Sequence, residues 1–204
     1  GPWVGMTLAE MTACAQRAVD LSRASGSRHR LLDALYMLGM ALAAEESFDK
    51  AQPLPGEMAA LERTGDPPRL RSQRFHLKHI LARQQGQLEE ALLALNEEQI
   101  WLEGVPEGRL GLLRNRYHQC VLLNALGRHD EVVPVARALL AAPGMPSDFG
   151  TEFELIEALA ALGRVDEAMT LAHSRRSQWT HSLVLKFGMS ALMQLAAARG
   201  RHLE

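Results

Sequence analysis

The side chains best suited to chemistry in this sequence are histidines, acids and arginines set at helical spacings. The stretch "HLKH" puts His76 and His79 one turn apart, where two imidazoles could take one face of a metal ion. His118 could approach from a later segment, but no cysteine or carboxylate completes a ligand set at a typical spacing. No metal is expected. The acidic pairs Glu45–Glu46, Glu89–Glu90 and Glu97–Glu98 could support acid–base work. Each lies at a helix end or on an amphipathic helix, where solvated charge is the expected role. Arg83 and Arg114 could clamp a carboxylate through paired hydrogen bonds. There is no glycine-rich phosphate loop, nucleophile elbow or zinc-protease helix motif. "GRLGLL" (108–113) enters a helix with no strand before it, so it reads as a loop. The chain is expected to have no catalytic residues and no cofactor.

The elements that must carry these residues are helices. Of 204 residues, 47% are apolar and only 5% aromatic, with Ala, Leu, Arg and Glu abundant. That is a helix-forming vocabulary with enough apolar mass for a core. Lys and Arg total 22 against 24 Asp and Glu. No clustered basic excess exists to displace counterions from a duplex, so no direct nucleic-acid binding is expected. The densest basic run, "RTGDPPRLRSQR" (63–74), reads as a solvated loop leading into the next helix. Cys14 and Cys120 lie in apolar helical patterns and read as small buried residues rather than a disulfide, which fits a cytoplasmic location. No apolar run is long enough to cross a bilayer, and neither a signal peptide nor membrane association is expected.

A turn recurs along the chain. Its hinge residues are Glu46, Gly86, Gly127, Gly163 and Gly200, spaced 36 to 41 residues apart. A period of this size signals stacked helical hairpins. Glycine ends the first helix by entering the left-handed conformation without a Cβ penalty. Three residues on, Asp49, Glu89, Asp130 or Asp166 opens the second helix and complements its dipole. Two residues later, Ala51, Ala91 or Ala168 lets the paired helices approach, with Val132 in one repeat predicting a wider crossing. Leucines before the hinges, such as Leu35, Leu38, Leu42, Leu155 and Leu159, recur at helical spacing and need neighbouring hairpins to bury them.

The unit resembles the tetratricopeptide repeat, most clearly in "MLGMALAAEESFDKA" (37–51), with Leu38, Gly39 and Ala51 in place. "AVDLSRASGSRHRLLDALYMLG" and "EMAALERTGDPPRLRSQ" are similar to the long variant found in MalT-like bacterial regulators, with helix stops at Gly26 and Gly65. The resemblance spans about residues 7–200. It implies an all-α, right-handed α-solenoid of about five hairpins as a single domain. Residues 1–6 read as a cleavage scar or flexible lead-in, and 201–204 as a tail where the solenoid is cut short. Pro53, Pro55 and Gly56 fall where a second helix should run, so that helix is expected to break and to begin in earnest near Gly56. Pro134 is expected to kink the helix starting near Arg128, and "APGMPSDFG" (142–150) to be a turn between repeats.

In this family the first helices line a concave groove. The residue ten before each hinge is Tyr36, His76, Tyr117, Phe153 and finally Ser190. The resemblance places this ring-bearing ladder in the groove, where rings give contact area at low entropy cost. Neighbouring addresses add Met40, Ile80, Val121 and Glu157, then Arg83, Arg114 and Asn124. The same rings could instead fill the seams between hairpins. The expected function is a non-catalytic binding module for a protein or peptide partner, within a bacterial signalling or regulatory protein. A small-molecule effector sensor is the alternative, and self-association through an open solenoid end is a further expectation.

Overall fold

A computed structural model describes residues 6–103, 108–143 and 150–175. All regular structure among them is helical, in ten helices. The chain divides into two compact units, Gly1–Leu112 and Leu113–Glu204.

The first unit holds α1 (Leu8–Ala24), α2 (Arg28–Ala44), α3 (Phe48–Ala51), α4 (Leu54–Leu61), α5 (Pro68–Gln84) and α6 (Leu88–Leu102). Successive helices pack side by side, with α2 central between α1, α3, α4 and α5, and α6 against α5. Thr7 starts α1 in a reciprocal capping box with Glu10. Leu32, Leu35, Met58, Leu70 and Leu77 are fully buried between the helices. Gly39 brings α2 close to α5: a Cβ there would sit under 3.0 Å from Leu77 side-chain atoms.

The second unit holds α7 (Arg109–Ala125) from Leu113 on, α8 (His129–Ala141), α9 (Thr151–Ala161) and α10 (Val165–Arg175). Here α9 packs against both α8 and α10. Leu122, Leu139, Ile156 and Leu159 are fully buried.

The described hinges behave alike. Gly86, Gly127 and Gly163 have φ of 75°, 72° and 74°, and Glu46 adopts 58°, alone among the described non-glycine residues in this region. In each turn the next N–H donates to the carbonyl five residues back: Ser47 to Leu42, Gln87 to Ala82, Arg128 to Leu123 and Arg164 to Leu159. These bonds satisfy carbonyls that the helix end would orphan. Ala51, Ala91, Ala168 and Val132 are all 0% exposed. Gly26 and Gly65 also take positive φ; Gly26 follows the end of α1, whereas Gly65 lies inside the α4–α5 loop, past the end of α4 at Leu61. The expected hinge at Gly200, the ladder position Ser190 and most of the turn at 142–150 lie outside the described residues.

Three local expectations need correction. The break between α3 and α4 occurs, but α4 resumes at Leu54 rather than near Gly56. Pro53 caps it and Pro55 falls in its first turn, where a missing N–H costs nothing. The run 63–74 is not a solvated loop throughout. Pro68 to Arg74 form the start of α5, and the Asp66 side chain in the preceding turn is only 3% exposed. Cys14 is exposed, because α1 buries only the side carrying Ala15, Val19 and Ser22; Cys120 is buried as expected.

Candidate functional site

In the first unit, α2 and α5 bring part of the ring ladder together. Tyr36 and Met40 on α2 are partly buried against the core, and Arg83 near the end of α5 is half-exposed. His76 and Ile80 on α5 are buried. The rings of Tyr36 and His76 lie 6.1 Å apart and those of His76 and His79 5.0 Å. His79 is itself fully buried, its Nδ1 3.1 Å from the His76 carbonyl oxygen. Glu98 of α6 places Oε2 3.7 Å from His76 Nδ1, and its side chain is 0% exposed. The expectation of a solvated Glu97–Glu98 pair therefore fails at Glu98, which the helix turns inward with Leu95 and Leu102. These residues form a polar seam inside the unit rather than a solvent-facing surface. Among the described residues, no group of three or more His, Cys, Asp and Glu is arranged to hold a metal ion.

In the second unit, α7 presents Arg114, Tyr117 and Val121 half-buried, and Asn124 buried. On α9, Phe153 is 6% exposed and Glu157 half-buried. Gly150, at φ 68°, lets the chain turn tightly into α9, and its carbonyl accepts from the Phe153 N–H at 2.9 Å. The Phe153 ring packs back over that glycine, 3.2 Å from where a Cβ would lie. The sequence-derived addresses thus split by burial. His76, Ile80, Asn124 and Phe153 belong to the interior, while Tyr36, Met40, Arg83, Arg114, Tyr117, Val121 and Glu157 keep part of their surface.

Each unit also opens a groove that the ladder does not touch. In the first, a cleft of about 690 Å³ has Leu35, Leu38 and Leu42 of α2 as its floor. Ala9, Thr12 and Ala13 of α1 form one wall and Leu54 of α4 the other. An ion pair from Arg23 of α1 to Glu57 of α4, at 2.6 Å, spans the two walls. In the second unit, a cleft of about 710 Å³ lies over Leu155 and Leu159 of α9, between Leu140 and Ala141 of α8 and Thr170 and Leu171 of α10. Arg137 of α8 pairs with Glu167 of α10 at 2.7 Å across it. The two grooves repeat one plan: a leucine floor from a first helix, walls from the flanking helices, and an Arg–Glu strap. The floor leucines are legible in the sequence only as core periodicity. Nothing in their spacing separates a leucine under a helix from one under an open cleft.

Compared with known proteins, the chain matches no family model, no curated protein and no solved structure. What stands established is the class: an all-helical protein among its described residues.

Proposed function

We propose that this chain is a non-catalytic helical-repeat binding module of tetratricopeptide type that holds an apolar-striped peptide segment of a partner protein. The observation that carries the reading is the groove of the first unit, whose three floor leucines sit at helical spacing between a small-residue wall from α1 and Leu54 of α4. Such a cleft suits apolar anchors presented one turn apart by a partner helix. The strap-bearing groove of the second unit, built to the same plan, supports a repeated docking surface. The partly exposed Tyr36, Met40, Tyr117 and Val121 offer additional contact area on the faces the resemblance assigns to the concave side. By the same resemblance, the module would serve a bacterial signalling or regulatory protein.

A small-molecule effector is the second reading. It is favoured by Thr12, whose buried Oγ1 has no hydrogen-bond partner at the wall of the first groove. A cleft of this size also falls within the usual range for small ligands.

The test is selection of a random-peptide library on the chain, with anisotropy titrations of the recovered peptides against wild type and Ala13→Trp. Ala13 is exposed on the groove wall, so the indole fills the cleft without entering the core. Peptides with apolar residues at helical spacing, weakened about tenfold or more by Ala13→Trp, are expected. Peptides indifferent to that substitution would move the site away from this groove.

A further inference from the structure

Helix α6 carries an apolar stripe on the side away from its own core contacts. The helix turns Ala91, Leu92, Ala94, Leu95, Glu98 and Leu102 inward. Leu93 and Ile100 are left 59% and 70% exposed. Seven residues apart, they share one helix face to within about 20°. The exposed Leu8 and Leu21 of α1, by contrast, stand thirteen residues apart and face different ways. Asn96 is exposed and Glu97 half-buried between the two apolar side chains, and Glu90 is exposed one turn before Leu93. The order Leu93, Asn96, Ile100 follows the alternating steps of three and four by which one helix lies along another.

The stripe is framed by charge of one sign. Between Arg83 and Arg109 the sequence holds six glutamates and no lysine, arginine or histidine. Glu89 and Glu90 complement the dipole at the start of α6. Glu103 caps the opposite end, where an acid opposes the dipole and the last turn supplies no base. Helix electrostatics thus accounts for the first two acids and not for Glu97 or Glu103. The neighbouring cations of α5 are directed elsewhere. The Arg71 guanidinium lies 4.3 Å over the Trp101 ring and donates to the Arg63 carbonyl, and Arg74 pairs with Glu62.

We propose that the outer face of α6 docks a cationic amphipathic helix of a partner protein. Apolar side chains of that helix pack against Leu93 and Ile100, and its flanking Lys or Arg residues meet Glu90 and Glu97. Complementary charge at the rim sets the partner and its register, while the apolar pair supplies buried area. A second copy of this chain suits the face badly, because α6 laid on α6 would bring like acids together. The surface shares no lining residue with either leucine-floored groove, so it stands independently of the groove reading.

The test selects a library of helical peptides on the full chain carrying Ala13→Trp, which fills the first groove. The peptides hold leucine at the seam positions and vary Lys, Glu and Gln beside them. Lysine should be enriched at the flanks. The recovered peptides should bind about tenfold or more weakly to Ile100→Ala and to the double variant Glu90→Gln with Glu97→Gln, and should weaken as salt is raised. Ile100 is 70% exposed, so Ile100→Ala should keep the thermal transition of its parent and report binding alone. Flanks without charge preference, peptides indifferent to both variants, or an empty selection overturn the proposal. So does a concentration-dependent dimer dissolved by Ile100→Ala, which would assign the face to a second copy. None of these failures touches the groove reading, because the first groove is blocked throughout.

Discussion

Arg28 and Asp66 form a two-pronged ion pair, with Nη1 to Oδ2 at 2.6 Å and Nη2 to Oδ1 at 2.5 Å. The same guanidinium donates to the Leu61 carbonyl at 2.9 Å, and Asp66 also accepts from the Arg63 backbone N–H. The pair thus ties the first turn of α2 to the loop joining α4 and α5. Arg28 foremost, with the Arg63 N–H and His29 in support, holds the Asp66 carboxyl well below the usual carboxylate range.

Asp66→Asn should therefore melt several degrees below wild type at neutral pH. Arg28→Lys should recover only part of the loss, because a single ammonium cannot reproduce the fork. The depressed carboxyl contributes its stability in full above the ordinary aspartate value of 3.8 and loses it only as pH falls below. Melting curves of wild type and Asp66→Asn should accordingly converge toward strong acid while remaining apart at pH values above that point.

Gly39→Ala should destabilise the first unit by about 1–3 kcal/mol, the usual cost of overpacking. The added methyl would press on Leu77, which is 0% exposed. Combining it with Leu77→Ala should cost less than the two changes summed, because the smaller side chain vacates the space. Urea denaturation of the four proteins of the cycle measures the coupling; strict additivity would mean that α2 and α5 do not meet there.

Glu46→Gly should stabilise the chain by up to about 1 kcal/mol, since glycine occupies the left-handed region without the Cβ conflict. Gly127→Ala and Gly163→Ala should each lose about 1 kcal/mol or slightly more. At both glycines a Cβ would meet nothing within 4 Å, so the cost is purely conformational. Denaturation midpoints of the three variants check the sign at each hinge.

The two thiols should behave as different reporters. Cys14 is exposed, whereas Cys120 is fully buried and its thiol is pushed up to about 12, by burial first and then by Glu154. A thiol-modifying reagent at mildly alkaline pH should label Cys14 quickly in the native protein. Cys120 should react only as its unit opens, with a rate that climbs with urea. Two equally fast thiols would contradict the packing of α7.

Much of this molecule is readable before folding because it is written in local rules. Glycine at 86, 127 and 163 needs only the left-handed region, and an acid near the next helix start needs only a dipole, so the hinges and helix order follow from neighbours in sequence. The burial of Ala51, Ala91 and Ala168 follows from the same repeat. Even Glu46, with no glycine to announce it, is placed by Asp49 and Ala51, which follow it at the repeat's offsets.

The tertiary structure decided what spacing leaves degenerate. Periodicity puts Tyr36 and His76 at one address, yet packing leaves the tyrosine partly exposed and sinks the histidine beside Glu98. It reads Glu97 and Glu98 as a pair, though only one of them turns inward. Asp66 finds Arg28, and Asn124 finds Glu154, through approaches that no local pattern encodes. The grooves over Leu38 and Leu159 are invisible in sequence for the same reason. A helix's own residues determine which side is apolar. What covers that side, or leaves it open, depends on the placement of other helices.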